Sequence, residues 1–276
     1  MSPVIMQGVS RESLDAAREN LNTLVRSGDT DLQGLGGELF SVAAVLDRAV
    51  GLRRALTDPA RSGDDRAALA RSVLAEHMSG AAGDVLVWAV RARWSAPRDL
   101  ADAVELLAIE SVVASAEKAN RLDDVEDELF RIGRLVAATP QLRTPLADRS
   151  APVERRVELI EGLLSGRVAD ETLRLVRQAV TAPRGRSFDH AAELYAEVAA
   201  ERRRRMVATV TAAVPLTEDQ RERLGAALAR IYQHKVHLNV EVEPGLVGGI
   251  RVEIGDELIE GSVISRLDAA RRRLVR

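Results

Sequence analysis

The sequence contains no cysteine, which excludes disulfide bonds and thiolate metal sites. It also lacks a long apolar run: residues 85–90 form a run of six, whereas roughly 18 are needed to cross a bilayer. The N-terminus has no basic segment followed by an apolar one, as a secretion signal would have. We therefore expect a chain that is neither secreted nor integral to a membrane.

Aromatic residues and lysines are also scarce. Three Phe, two Tyr and two Trp occur in 276 residues, so the core must be built from Leu, Val, Ile and Ala, as is usual in helix-on-helix packing. Only Lys118 and Lys235 are lysine among 39 basic residues. GC-rich coding is the simplest interpretation of the arginine excess, and selection of arginine for salt bridges is the alternative.

The charge pattern argues against nucleic-acid binding. The formal net charge is −3, and the arginine runs at 202–205 and 271–273 are not interleaved with aromatic residues. Contact with a protein partner, or simple solvation, accounts better for these runs.

Catalytic and metal-binding patterns are equally weak. The four histidines are His77, His190, His234 and His237. The last two fall on opposite faces of a predicted strand, so a metal site there is the less favoured interpretation. Gly245, Gly248 and Gly249 fit a turn better than a phosphate loop, and Ser262 is not part of a G-x-S-x-G pattern. The sequence therefore predicts no catalytic, cofactor-binding or metal site.

A helical pattern occurs twice in the sequence. Proline is absent from residues 4–58, 60–96, 98–139 and 184–214, which permits long helices. Two apolar stripes with helical spacing lie 90 positions apart: Leu32, Leu35, Leu39, Val42 and Leu46, then Leu122, Val125, Leu129, Ile132 and Val136. Identities accompany them, as in Glu38-Leu39-Phe40 and Glu128-Leu129-Phe130.

Further matches suggest that the offset then decreases. At an offset of 86, Ser79-Gly80 matches Ser165-Gly166, and Ala96-Pro97-Arg98 matches Ala182-Pro183-Arg184. We interpret the whole as an internal duplication with a period of about 86–90, which is too long for the usual solenoid repeats.

The predicted fold is mainly α, with two tandem helical bundles followed by a small α+β module. The length of the chain by itself suggests about two domains. Because the helical bundle is repeated, we expect three. Copy one is an extra N-terminal bundle at residues 1–101, copy two a bundle at 102–205, and the module spans 206–276. One helix over roughly 100–118 is expected to close the first bundle and open the second, forming a rigid joint because no Gly or Pro interrupts it.

The last 70 residues have a different pattern. β-Branched and apolar residues alternate over 207–214, 236–242 and 250–254, which predicts three strands. Thr217 and Gln220 have the spacing of a capping box, so a helix is expected after the first strand. A closing helix is expected over 263–274. The predicted order is β-α-β-β-α.

This C-terminal region resembles a known family. The segment Ala213-Val214-Pro215-Leu216-Thr217-Glu218-Asp219-Gln220 resembles the entry to the C-terminal domain of the delta subunit of F-type ATP synthases, which is related to the mitochondrial oligomycin-sensitivity-conferring protein. The similarity continues through Lys235-Val236, Pro244-Gly245-Leu246-Val247-Gly248-Gly249-Ile250, Gly255-Asp256, Ile259, Gly261-Ser262-Val263 and Arg266-Leu267. Copy two resembles the family's helical N-terminal domain, including residues 121–129. Copy one departs from the commoner single-bundle pattern.

The resemblance implies a mechanical function without catalysis. It implies a coupling subunit of the proton-translocating ATP synthase that joins the catalytic head to the peripheral stalk and resists rotor torque. The implied partners are N-terminal helices of the alpha subunits and the C-terminus of the stalk b subunit, with no cofactor, nucleic acid or small-molecule substrate. The implied place is the cytoplasmic face of the cell membrane, with membrane contact only through the complex. The alternative is a soluble helical adaptor or a nucleic-acid-binding regulatory protein.

Candidate partner-binding residues follow from the resemblance. In copy two, a helix-binding groove between the 103–118 and 188–204 helices would be lined by Val104, Leu107, Leu194 and Val198; the alternative is that all four are internal core. In the C-terminal module the candidates are Gly248, Gly249 and Ile250. Copy one would hold a second alpha-subunit helix or pack as a spacer, and both interpretations stay open at this point.

Overall fold

The chain folds into an all-helical unit followed by a smaller α+β unit. The computed structural model describes residues 6–74, 78–204, 207–232, 236–243, 245–246, 249–254 and 257–260. The two units are Met1–Ala199 and Ala200–Arg276. The domain boundaries expected after residues 101 and 205 stay predictions. Among the described helices, none has the length and apolar character required to cross a membrane.

Helices account for all the regular structure described in the first unit. They are α1 (Val9–Ser27), α2 (Leu32–Arg48), α3 (Val50–Leu56), α4 (Gly63–Leu74), α5 (Gly80–Arg91), α6 (Pro97–Lys118), α7 (Leu122–Ala138), α8 (Pro140–Ala147), α9 (Val153–Leu164), α10 (Asp170–Thr181) and α11 (Phe188–Arg204), of which the last five residues fall beyond the boundary at Ala199.

The duplication is visible in the positions of these helices. The four helices α2 to α5 each begin 90 residues before α7 to α10, respectively. Corresponding lengths agree as well: α2 and α7 both have 17 residues, and α4, α5, α9 and α10 all have 12. Since the four helix starts keep one offset and the helix lengths differ by at most one residue, the two copies have the same local architecture.

The predicted decrease of the offset to 86 is wrong. Ser79 is the N-cap of α5, but Ser165 is the C-cap of α9. Pro97 is the first residue of α6, whereas Pro183 lies in the turn before α11, which begins at Phe188. Short combinations of Ser, Gly, Ala and Pro recur at many helix boundaries because these residues terminate helices and form turns, so they align by chance.

The expected shared helix is confirmed as α6. It contacts α1, α2, α3 and α5 of copy one as well as α7 and α10 of copy two. Fifteen of its 22 residues are buried, so it has no solvated face over most of its length. A helix that is buried on all sides in this way lies at the centre of a bundle, although Glu105, Glu110 and Ser111 are among its buried residues.

The second unit is a four-stranded mixed sheet with one described helix. The strands are β1 (Val207–Ala212), β2 (His237–Val242), β3 (Ile250–Ile254) and β4 (Glu257–Glu260), and the helix is α12 (Glu218–Tyr232). The strand order is β2-β1-β3-β4, with β1 parallel to β2 and antiparallel to β3. The predicted capping box is present. The backbone N–H of Gln220 donates to Thr217 Oγ1 at 3.3 Å, and the backbone N–H of Thr217 donates to Gln220 Oε1 at 2.9 Å.

The predicted fold class, two helical bundles and an α+β module, is confirmed. The core of the second unit consists of Ala208, Val210, Leu228, Val236, Val252 and Ile254. The sequence did not predict β4, because a four-residue strand is too short for a clear alternation and is defined by its antiparallel pairing with β3. The closing helix expected over 263–274 lies outside the described residues.

Candidate partner-binding surfaces

The four predicted groove residues of copy two are buried. Val104 and Leu107 on α6 have 0% of their surface exposed, and Leu194 and Val198 on α11 have 7% and 6%. They belong to the core of the first unit, as the alternative interpretation held. A partner helix would reach Leu107 only if neighbouring helices moved apart. A binding role for these four residues stays a prediction.

In the second unit, two of the three predicted residues lie at the start of β3. Gly249 is exposed with φ of 85°, a left-handed conformation that favours glycine, so it shapes the turn into the strand. Ile250 pairs with Ala212 of β1 and packs partly buried against the core. Gly248 lies outside the described residues. Partner binding at this turn stays a prediction.

Arg184 forms a buried ionic cluster at the junction of the two copies. Its side chain is 5% exposed. The guanidinium donates to Asp47 of α2 at 2.8 Å, to Asp102 of α6 at 2.7 Å and to Glu105 of α6 at 2.6 Å. It also donates to the carbonyl oxygen of Ala101 at 3.3 Å. One side chain from the α10–α11 loop thus binds both the shared helix and copy one.

The charges in this cluster are balanced. Arg186 also donates to Glu105, and Arg98 lies 3.7 Å from Asp102, so three guanidinium groups face three carboxylates. Burial raises the pKa of Asp102, although the charges of Arg184 and Arg98 oppose this shift. Burial also disfavours the charged form of Arg184, but its hydrogen bonds and carboxylate neighbours raise its pKa above the ordinary value. The guanidinium therefore stays charged inside the protein.

A second buried carboxylate lies at the other end of the same junction. Glu171, at the start of α10, is fully buried. Its carboxylate accepts from Arg121 at 2.8 and 2.9 Å, from Ser115 at 3.3 Å and from Gln33 of α2 at 3.1 Å. Burial would raise the pKa of Glu171, but the hydrogen bonds and the Arg121 charge outweigh it, and the pKa lies below its ordinary value.

Sequence reasoning missed both buried clusters. In the sequence Arg184 stands out only as part of an Ala-Pro-Arg match, and no local pattern marks Glu171. The available signal was Pro183-Arg184-Gly185, a turn between two predicted helices. That signal cannot show which carboxylates surround the guanidinium, because they lie 79 to 137 residues away in the chain.

Several large apolar side chains are exposed and provide candidate contact surfaces. In the first unit they are Val9, Val50, Val73, Phe130, Leu135 and Leu163; in the second they are Val214, Ile231, Val242 and Leu258. Phe130 and Leu135 on α7 are 56% and 54% exposed, and the guanidinium of Arg134 lies 5.9 Å from the centre of the Phe130 ring. Phe40, the counterpart of Phe130 in copy one, is only 5% exposed.

The described residues contain no cluster of three or more His, Asp or Glu arranged to hold a metal ion. The two buried clusters, around Arg184 and Glu171, connect segments of the two copies to one another.

Comparison with known proteins gives consistent matches. The family model described as ATP synthase delta (OSCP) subunit matches residues 109–274. ATP synthase subunit delta of Streptomyces coelicolor is 51% identical over 269 residues, covering 98% of this chain and 98% of that one. The proteins of the same name from Kineococcus radiotolerans and Acidothermus cellulolyticus are 46% and 47% identical, covering 99% and 98% of this chain and 99% of each relative.

Because these matches span nearly the whole of both chains, copy one has a counterpart in each of the three relatives. Among solved structures, a chain of the Toxoplasma gondii mitochondrial ATP synthase hexamer matches with a TM-score of 0.33 and 15% identity, covering 61% of this chain and 95% of that one.

Proposed function

Since this chain belongs to the ATP synthase delta (OSCP) subunit family, we propose that it is the non-catalytic coupling subunit of the enzyme's peripheral stalk. It joins the catalytic head to the stalk, so that rotor torque drives ATP synthesis instead of turning the head. The observation that carries this proposal is the match to delta subunits along 98% of both chains.

The proposed partners are the N-terminal helices of the alpha subunits for the first unit and the C-terminus of the b subunit for the second. Exposed apolar side chains support docking on each unit, because association removes their surface from water. They are Phe130 and Leu135 in the first unit, and Val214, Ile231, Val242 and Leu258 in the second. No cofactor, nucleic acid or small-molecule substrate is needed for this function.

The proposed location is the cytoplasmic face of the cell membrane, where the stalk and the head hold the chain. Contact with the membrane is indirect, through the complex.

The function is tested with ATP synthase depleted of its delta subunit and reconstituted into vesicles. Adding this chain should raise the number of protons taken up per ATP hydrolysed. The reason is that the stalk then holds the head still, so that hydrolysis turns the rotor against it. If the chain binds the complex but hydrolysis stays uncoupled, the proposal is wrong. Salt-sensitive nucleic-acid binding without any association with alpha and b subunits would favour the regulatory alternative instead.

The groove hypothesis needs a separate measurement. A peptide with the sequence of the alpha-subunit N-terminus is added to the full chain, and amide hydrogen exchange is compared with and without it. Protection around Leu107 and Val198 would support the groove between α6 and α11. Protection confined to α7, around Phe130 and Leu135, would place the partner there and contradict the groove.

A further inference from the structure

We propose that copy one is clamped to copy two by polar side chains at the two ends of α2: Gln33 is held by Glu171 of α10, and Asp47 is held by Arg184 of the loop that follows α10. The two copies then transmit force as one rigid body. This inference goes beyond the proposed function, because it concerns the mechanics of the chain itself and does not depend on which partners it binds.

The first support is a set of three side-chain approaches between α2 and the segment that begins with α10. Gln33 donates to Glu171 at 3.1 Å, a Cβ on Gly37 would lie 3.3 Å from Arg174 Nη1, and Asp47 accepts from Arg184 at 2.8 Å. The sequence separations of these pairs are 138, 137 and 137 residues. Since the separation stays nearly constant, α2 and the segment beginning with α10 run in the same direction and are connected by long side chains.

The second support is the close approach of α2 to α6, its most extensive helix contact. A Cβ on Gly36 would lie 2.6 Å from Val112 Cγ2 and 3.0 Å from the carbonyl oxygen of Ala108. Only glycine allows the two helices to meet so closely. Helix α2 is thus packed tightly against the helix that the two copies share.

The third support is the way in which Arg184 is held. Its φ is 49°, and the following Gly185 has φ of 82°, so the loop adopts two successive left-handed residues and presents the side chain inward. Its three carboxylate partners belong to α2 and α6. Removing one member of such a buried cluster leaves uncompensated charge, so the loss acts directly at the contact between the copies.

Arg98 provides a matched control. It is the same residue type and also contacts Asp102, at 3.7 Å, but it is 62% exposed. Because Arg98 and Asp102 both belong to α6, their contact does not connect the two copies. Replacing Arg98 removes a cation from the same carboxylate while leaving the contact between α2 and copy two in place.

The absence of cysteine makes the clamp directly measurable. One pair of spin labels is introduced at Ser72→Cys in copy one and Gly162→Cys in copy two, which are exposed positions 90 residues apart. A Cβ on Gly162 meets nothing within 4 Å, so the substitution fits. A second pair, Gly51→Cys with Ser72→Cys, lies wholly in copy one and reports on its internal integrity. Distances between labels are measured by pulsed electron spin resonance in the full chain.

We expect Arg184→Met to shift and broaden the distance distribution between copies while the distribution within copy one stays narrow. Arg184→Lys should broaden it too, since an ammonium group lacks the fork that reaches three carboxylates. Arg98→Met should leave both distributions unchanged. A narrow, unshifted distribution between copies in folded Arg184→Met would overturn the proposal. If Arg184→Met does not fold, Asp47→Asn decides in its place: broadening between copies supports the clamp, and an unchanged distribution overturns it.

Discussion

Glu128 caps α10 in the same way that Glu38 caps α5, 90 residues earlier in the chain. The Ser79 amide donates to Glu38 at 2.7 Å, and the Ala169 amide donates to Glu128 at 3.0 Å, with a separation of 41 residues in both pairs. A tertiary hydrogen bond that recurs at one separation cannot follow from apolar periodicity alone. The two copies therefore share their side-chain architecture as well as their helix order.

The two caps differ in strength, which gives a first prediction. Glu128 also accepts from the Thr172 hydroxyl at 2.6 Å, so Glu128→Ala leaves more donors unsatisfied than Glu38→Ala. We expect Glu128→Ala to lower the free energy of unfolding by about 1–3 kcal/mol, and Glu38→Ala by about 1 kcal/mol. Urea denaturation followed by circular dichroism measures both. Equal losses would show that the Thr172 contact contributes nothing.

A second prediction concerns the tight contact of α2 with α6. Gly36→Ala places a methyl group in the space of Val112 Cγ2 and should lower the free energy of unfolding by about 1–3 kcal/mol. Gly83→Ala is the matched control, since its Cβ would meet nothing within 4 Å. Without a clash, the gain in helix propensity should stabilise the chain by up to about 1 kcal/mol. In thermal unfolding we expect Gly36→Ala to lower the melting temperature and Gly83→Ala to raise it. An unchanged melting temperature for Gly36→Ala would contradict the close approach of the two helices.

A third prediction uses the repeat-related phenylalanines. Phe40→Ala removes a buried ring and should destabilise the first unit by about 3–5 kcal/mol. Phe130→Ala removes a ring that is 56% exposed and should change stability by less than about 1 kcal/mol. If Phe130 contacts a partner, Phe130→Ala should weaken binding of the alpha-subunit peptide while the fold stays intact. Titration calorimetry and chemical denaturation of the same variants separate the two effects.

A fourth prediction concerns acid stability. The pKa of Glu171 is held below its ordinary value of 4.5, so the unfolded chain binds this proton more readily than the folded chain. The resulting stabilisation is present above the ordinary pKa and is lost as the pH falls through the folded-state pKa. Arg121→Ala removes the main cause of the shift and should move acid unfolding to higher pH.

The control for this prediction is Arg131→Ala. Arg131 also pairs with a carboxylate, that of Asp127, but its side chain is 72% exposed. An exposed ion pair contributes little to stability, so its loss should leave the acid midpoint in place. Acid unfolding is measured by circular dichroism as a function of pH. Equal midpoints for Arg121→Ala and the unaltered chain would contradict the role of the buried pair.

The predicted partner residues illustrate the limit of helical periodicity. Val104 and Leu107 were correctly placed on one helix, and their spacing is that of an apolar face. Periodicity cannot distinguish an open groove from a closed core, because both require the same apolar stripe. The apolar face of α6 belongs to a closed core because helices of both copies contact α6.

The sequence by itself determined the helical class, the duplication and the α+β module, because each is encoded in local spacing, turn residues and repeated identities. Only the tertiary structure decided how the copies meet. The contacts of Arg184 and of Gly36 join residues far apart in the chain. What they contribute to stability depends on how deeply these residues are buried and on how closely their atoms approach. Local patterns carry no information about such distances, so the packing of α2 on α6 and its bond to Arg184 became visible only in three dimensions.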